Sequence, residues 1–168
     1  MERKFILFLA ISGMLFSCSD DKEDTSTELD QAQLQGTWDA NELKIDDQTA
    51  SDEAKFGRSI LDHLTNKSCT VLSFTFGADS SIVAENSLNY LSINVNSGGS
   101  SLDIPCPTES DTDTSVYTFD GTTLSYVDAD GKTVKVKPVI NGNIMTLTAA
   151  DLGYANLDAE GELVFTKR

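Results

Sequence analysis

Three cysteines, one histidine and a surplus of carboxylates are the groups in this 168-residue chain that could do chemistry. Cys18 ends an apolar N-terminal run, whereas Cys69 and Cys106 lie far downstream. The single imidazole, His63, excludes every mechanism that needs two. A Ser–His–Asp arrangement would also lack the Gly-x-Ser-x-Gly elbow that presents a nucleophile. Catalysis by positioned titratable groups therefore has little to draw on, and the reading is of a non-enzyme. Asp128-Ala129-Asp130-Gly131 has the spacing of a calcium-loop core. Aligned on its Gly, the first and twelfth ligand positions fall on Tyr126 and Lys137, where acids are required. Asp111 and Asp113, or Asp46 and Asp47, offer at most weak surface contacts to a cation. Two Cys without a third or fourth soft ligand do not hold zinc. Asn96–Ser101 is followed by no Lys and no helical pattern, so it is not a phosphate loop. Neither a metal nor a cofactor is expected. With 27 acids against 12 basic residues, a formal charge of −15, the chain also lacks the Lys/Arg footprint that nucleic acid requires.

The reactive thiol nearest the N-terminus has a context of its own. Met1–Lys4 is a short basic start, and Phe5–Phe16 is apolar except for Ser12 and Gly13. As a helix this run would span about 18 Å, too short to cross a hydrocarbon core of about 30 Å. A charged start followed by a short apolar run describes a secretory signal. Leu15-Phe16-Ser17-Cys18 resembles a bacterial lipobox. That resemblance implies removal of residues 1–17 as a lipoprotein signal peptide. It also implies diacylation of the Cys18 sulfur and palmitate-type anchoring to the membrane. Two or three acyl chains suffice for stable attachment, at about 0.8 kcal/mol per buried CH₂. Ser19–Asp24 is similar to the acidic export signal of Bacteroidetes surface lipoproteins, which implies an outer-membrane, surface-exposed location. Residues 19–33 hold six acids, one Lys, no aromatic and a single Leu. Such a segment buries too little apolar surface to offset its ordering entropy, so residues 18–33 read as a lipidated acidic tether.

The remaining 135 residues, 34–168, are enough for one core. Period-two alternation dominates them. Leu72, Phe74 and Phe76 share one face, as do Leu91, Ile93 and Val95; Tyr117 and Phe119; Leu124 and Tyr126; Val134 and Val136; Met145 and Leu147; and Leu163 and Phe165. Their alternates are mostly Ser, Thr, Asn and Lys, as half-buried antiparallel strands require. Asp120-Gly121, Asp130-Gly131 and Asn141-Gly142 separate these runs as hairpin turns, and Glu160-Gly161 makes a fourth. About nine strands result, Thr37–Ile45 being the first. Ser51–Asn66 differs: Phe56, Ile60 and Leu64 recur at helical spacing, with Ser51 as N-cap and Asp52 and Glu53 favoured by the helix dipole. This inserted helix could cover a barrel mouth or a sheet edge. Gly98–Thr114 is the longest stretch without strand pattern and a candidate binding rim.

Leu34-Gln35-Gly36-Thr37-Trp38 opens this region, and its Gly-x-Trp resembles the start of lipocalin and lipocalin-like barrels. The closing Leu163–Arg168 is similar to the last strand of small lipocalin-like lipoproteins from Bacteroidetes. The resemblance implies an all-β, antiparallel up-and-down barrel of eight to nine strands, here with one inserted helix before the second strand. It also implies that Trp38 packs across one barrel end. An eight-stranded barrel either fills with side chains or holds one small ligand. Trp38, Phe74, Phe76, Tyr117, Phe119, Tyr126 and Phe165 are large enough to fill it.

In an oxidising compartment the two remaining thiols, Cys69 and Cys106, invite a disulfide; two free buried thiols are the alternative. The function expected is non-enzymatic: binding of a small apolar or amphipathic ligand, with a protein-partner module on a filled barrel as the second reading.

Overall fold

Strands are the main regular element of the computed structural model, which describes residues 30–95, 102–153 and 161–168. The leader, Cys18, most of the tether, Asn96–Ser101 and Glu160 lie outside these residues. A four-residue helix, α1 (Gln31–Leu34), leads into β1 (Gly36–Lys44). The one long helix, α2 (Asp52–Asn66), follows, then β2 (Leu72–Phe76) and β3 (Ser81–Asn86). A small ribbon of β4 (Asn94–Val95) and β5 (Leu102–Asp103) precedes β6 (Asp111–Phe119), β7 (Leu124–Val127) and β8 (Thr133–Val136). β9 (Val139–Asn141), β10 (Ile144–Thr148) and β11 (Glu162–Lys167) complete the chain.

Nine strands form one antiparallel sheet in the order β8-β7-β6-β3-β2-β1-β11-β10-β9. Apart from β3 and β6, which flank the small ribbon, neighbours follow one another along the chain, except where the first strand pairs with the last. Flat, the sheet would hold its edges about 38 Å apart. Yet β8 and β9 are joined by Lys137 and Pro138 alone, a link of at most about 11 Å. The sheet must therefore curl until its edges meet, and the architecture is a barrel-like, up-and-down one. No ladder joins β8 to β9 among the described residues; the short 3-10 turn Ala149–Leu152 packs against β8 and β10 beside that seam. A turn laid against an unpaired edge blocks further strand addition.

Alternation places one face of every long strand in a single core that includes Trp38, Phe74, Ile82, Tyr117, Val134, Met145 and Phe165. β1 needs a correction of parity to join it. Its register with β11 shifts between Ala40 and Glu42, a bulge at Asn41. Trp38 and Ala40 point inward before the bulge and Leu43 after it, leaving Glu42 outside.

Several expectations change. Leu91–Val95 is not a sheet strand: Leu88–Tyr90 is a 3-10 turn, only Asn94–Val95 pairs, and Ile93 is exposed. β3 went unread because Val83 breaks the polar alternation, and β9 because Pro138 precedes it. The patternless stretch ends earlier than Thr114, since Asp111–Thr114 already pairs with β3. Residues 30–33, assigned above to the tether, belong to the fold. Asp30 caps α1, accepting from Ala32 N at 3.1 Å while its own N–H donates to Gln33 Oε1 at 3.0 Å.

Candidate functional site

The two ends of the barrel differ, and the difference starts in the residues that enter them. At one end α1 delivers Leu34, and Trp38 Nε1 donates to the Leu34 carbonyl at 2.6 Å. Trp38 is fully buried and Lys167 Nζ lies 5.0 Å from its ring. Gly36 makes this approach feasible. Its φ of +113° suits glycine, and a Cβ there would stand 2.8 Å from Lys167 Cε. Deeper in, Phe74 and Phe165 rings lie 5.6 Å apart, Phe74 and Tyr126 6.3 Å, and Phe76 meets Tyr117 edge-on at 5.3 Å. The aromatics thus fill the lumen; Phe119 alone of the seven is only partly buried.

At the other end α2 lies over the barrel mouth. Ser51 Oγ caps it, accepting from Ala54 N at 3.1 Å, and Asp52 and Glu53 occupy its first turn. Thr65 Oγ1 donates to the Asn41 carbonyl at 3.1 Å, so the bulge in β1 also anchors the helix. The helix buries Ala54, Leu61 and Leu64. The expected stripe of Phe56, Ile60 and Leu64 is therefore corrected: Phe56 is 46% exposed and Ile60 half-buried. Ile60 still packs against the core at its margin, and a cleft of about 650 Å³ opens between this side of the helix and the sheet. Its depth is set by Ala40, Leu43, Leu72 and Leu163, all nearly buried, and its accessible wall by Phe56, Ile60, Leu88 and Leu91. Glu53, Asn86 and Asn89 are the polar residues at its edge, and no Lys or Arg among the described residues lines it. Volume and apolar lining are those of small-molecule pockets.

Beside the mouth, Asn89 Nδ2 and Tyr90 Oη donate to the Asp111 carboxylate at 2.9 and 2.7 Å. These two bonds, Asn89's first, hold the Asp111 carboxyl below the usual carboxylate range. The same contact pushes the Tyr90 hydroxyl up.

Cys69 and Cys106 stand at disulfide distance, Cα atoms 5.5 Å apart and sulfurs paired. They hold residues 104–110 as a strap across the outer face of the sheet. Ile104 is fully buried and its carbonyl accepts from Lys67 Nζ at 2.8 Å. Beneath the strap a polar cleft of about 200 Å³ is bordered by Ser73, Glu85, Thr108 and Arg168. Ser73, on the outward face, is buried there and donates to Glu85 Oε2 at 3.2 Å.

Among the described residues the other candidates from the sequence stand apart from one another. His63 Nε2 is buried with no hydrogen-bond partner among the described residues, so no serine or carboxylate is coupled to it. Asp128 accepts from Lys132 N at 2.8 Å within a hairpin turn, and Asp46 from Gln48 N at 2.8 Å in a loop. Among the described residues no three His, Cys, Asp or Glu converge as metal ligands. The cleft itself escaped sequence reading; its one signal was a glycine, Gly57, in the middle of an otherwise regular amphipathic helix. Comparison of the chain with protein-family models, with curated proteins and with solved structures finds no match.

Proposed function

We propose that this chain is a non-enzymatic, lipid-anchored bacterial lipoprotein of lipocalin-like type. Its barrel-like domain holds a small apolar or amphipathic molecule beneath α2 rather than inside the lumen. The observation that carries the reading is the 650 Å³ cleft with a leucine floor, left open in a domain whose other end is packed solid. The anchor rests on the sequence around Cys18, and the acidic Ser19–Asp24 supports outer-membrane, surface-exposed placement. Titration of the chain with the neutral dye Nile red tests the pocket. Saturable binding that Gly57→Phe abolishes, with the melting temperature kept, is the expected result. Binding indifferent to that substitution overturns the reading.

The filled lumen favours a second reading, a module that docks on a protein partner through its rim loops. Under it, replacing residues 107–110 with Gly and Ser removes partner capture and leaves Nile red binding unchanged.

A further inference from the structure

We infer that the cleft under α2 selects an amphiphile with a positively charged head, an ammonium-type group seated at the mouth against Glu53. This deepens the small-ligand reading and rests on it. The leucine floor gives the apolar body its contact surface. The head must then sit where the wall turns polar, and there the charges have one sign. Glu53 is exposed at the helix start and lines the mouth. Phe56, three residues on and therefore on the same side of α2, offers a half-exposed ring, whose face attracts cations. On the facing rim Asn89 lines the cleft and is bonded through its amide to the Asp111 carboxylate. A fatty carboxylate entering here would meet Glu53 in the lining, with Asp111 behind Asn89, and among the described residues no lining cation. An alcohol head would gain a hydrogen bond without the charge assistance that strengthens it.

Gly57 supports the same occupant. Glycine inside a helix is unfavourable relative to alanine, so a packing reason would ordinarily be sought. Here a Cβ would meet nothing within 4 Å. No neighbour requires the glycine; it widens the cleft one residue from Phe56, where the head and the first part of the body would pass. A carboxylate, an aromatic face three residues on and an unfilled helix position four residues on, all lining the cleft, form the receptacle for a substituted ammonium.

The acidic chain as a whole attracts cations, so the test must separate Glu53 from the general field. Isothermal titration calorimetry on the full-length chain, below micellar concentrations, compares decyltrimethylammonium, decanol and decanoate. We expect the ammonium to bind about tenfold tighter than the alcohol, with decanoate weakest. Glu53→Gln should bring the ammonium within about twofold of the alcohol. Asp62→Asn, which removes an equal charge from an exposed position of the same helix outside the cleft, should leave the ranking intact. Gly57→Leu should abolish binding of all three while the melting curve shows the fold retained. Equal affinities in the unmodified chain, or an effect of Asp62→Asn as large as that of Glu53→Gln, overturns the charge inference; Gly57-sensitive binding would then still support the pocket. Binding of none of the three overturns both.

Discussion

The aromatic end and the helix end of this barrel are both lined with apolar side chains and use them oppositely. At the aromatic end Trp38 finds a backbone acceptor and Phe74, Phe76, Tyr117, Tyr126 and Phe165 find other rings, and a four-residue helix suffices as a plug. At the helix end fifteen residues of α2 span the mouth yet leave a cleft of about 650 Å³ under them. Burying the wall would be favourable at roughly 25 cal/mol per Å² of apolar surface. Persistence of the gap therefore reflects the shape of α2, in particular Phe56 turned outward and Gly57 without a side chain. The two ends show that an apolar lining does not by itself fill a barrel end; the seating of the capping helix matters as well.

The largest expected effect would break this contrast if it failed. Trp38→Ala, at the packed end, should cost about 3–5 kcal/mol in urea denaturation, whereas Ile60→Ala, at the cleft wall, should cost about 1 kcal/mol. Equal losses would mean that the cleft end is as tightly packed as the other. Next, opening Cys69–Cys106 with reductant should lower stability by about 3–4 kcal/mol for a 37-residue separation. Thiols that alkylate in the native, unreduced protein would refute the pairing. A smaller effect has the opposite sign. Gly57→Ala should raise stability by about 0.5–1 kcal/mol, because the added methyl meets open space and the helix gains propensity. Destabilisation would show that the position is not vacant.

The smallest effect concerns acid. At the aromatic end, the N–H groups of Thr123 and Thr122 and the Thr122 hydroxyl hold the Asp120 carboxyl below its ordinary value. At the cleft end, Asn89 and Tyr90 do the same for Asp111. A carboxyl whose folded value is depressed adds stability above its unfolded value, near pH 3.9, and that stability is lost as pH falls through the folded value. Asp120→Asn and Asp111→Asn should each flatten the acid limb of the stability profile below about pH 4. An unchanged limb for either variant would remove that end from the comparison.

Much of the aromatic end was legible in the chain. Gly36-Thr37-Trp38 announced the plugged entry, and the turns at Gly121 and Gly142 show the positive φ expected of them, as does Gly131 at the opposite end. The alternation of Phe74, Phe76, Tyr117, Tyr126 and Phe165 also placed the rings inside. The helix end was less so, for identifiable reasons. Helical periodicity located α2 but assumed that its apolar stripe faces the sheet, and the stripe is split between sheet and cleft. The bulge at Asn41, which changes the parity of β1 and receives Thr65, depends on pairing with β11 some 120 residues away and leaves no local mark. α1 was concealed by its acidic neighbours, since four residues carry too little pattern to distinguish a helix from a linker.

The place of β11 has a consequence for how the molecule comes into being. The last described strand lies between β1 and β10 and supplies Leu163 and Phe165 to the core. Until it arrives, two strands more than a hundred residues apart in the chain have nothing between them, and Trp38 has no roof. Closure is thus a late, non-local event of the slow kind. A chain threaded through a membrane from its N-terminus would stay open, and so transportable, until β11 had crossed. Loss of that strand would not merely shorten the protein; it would strand two adhesive strand edges in search of each other or of a neighbouring molecule.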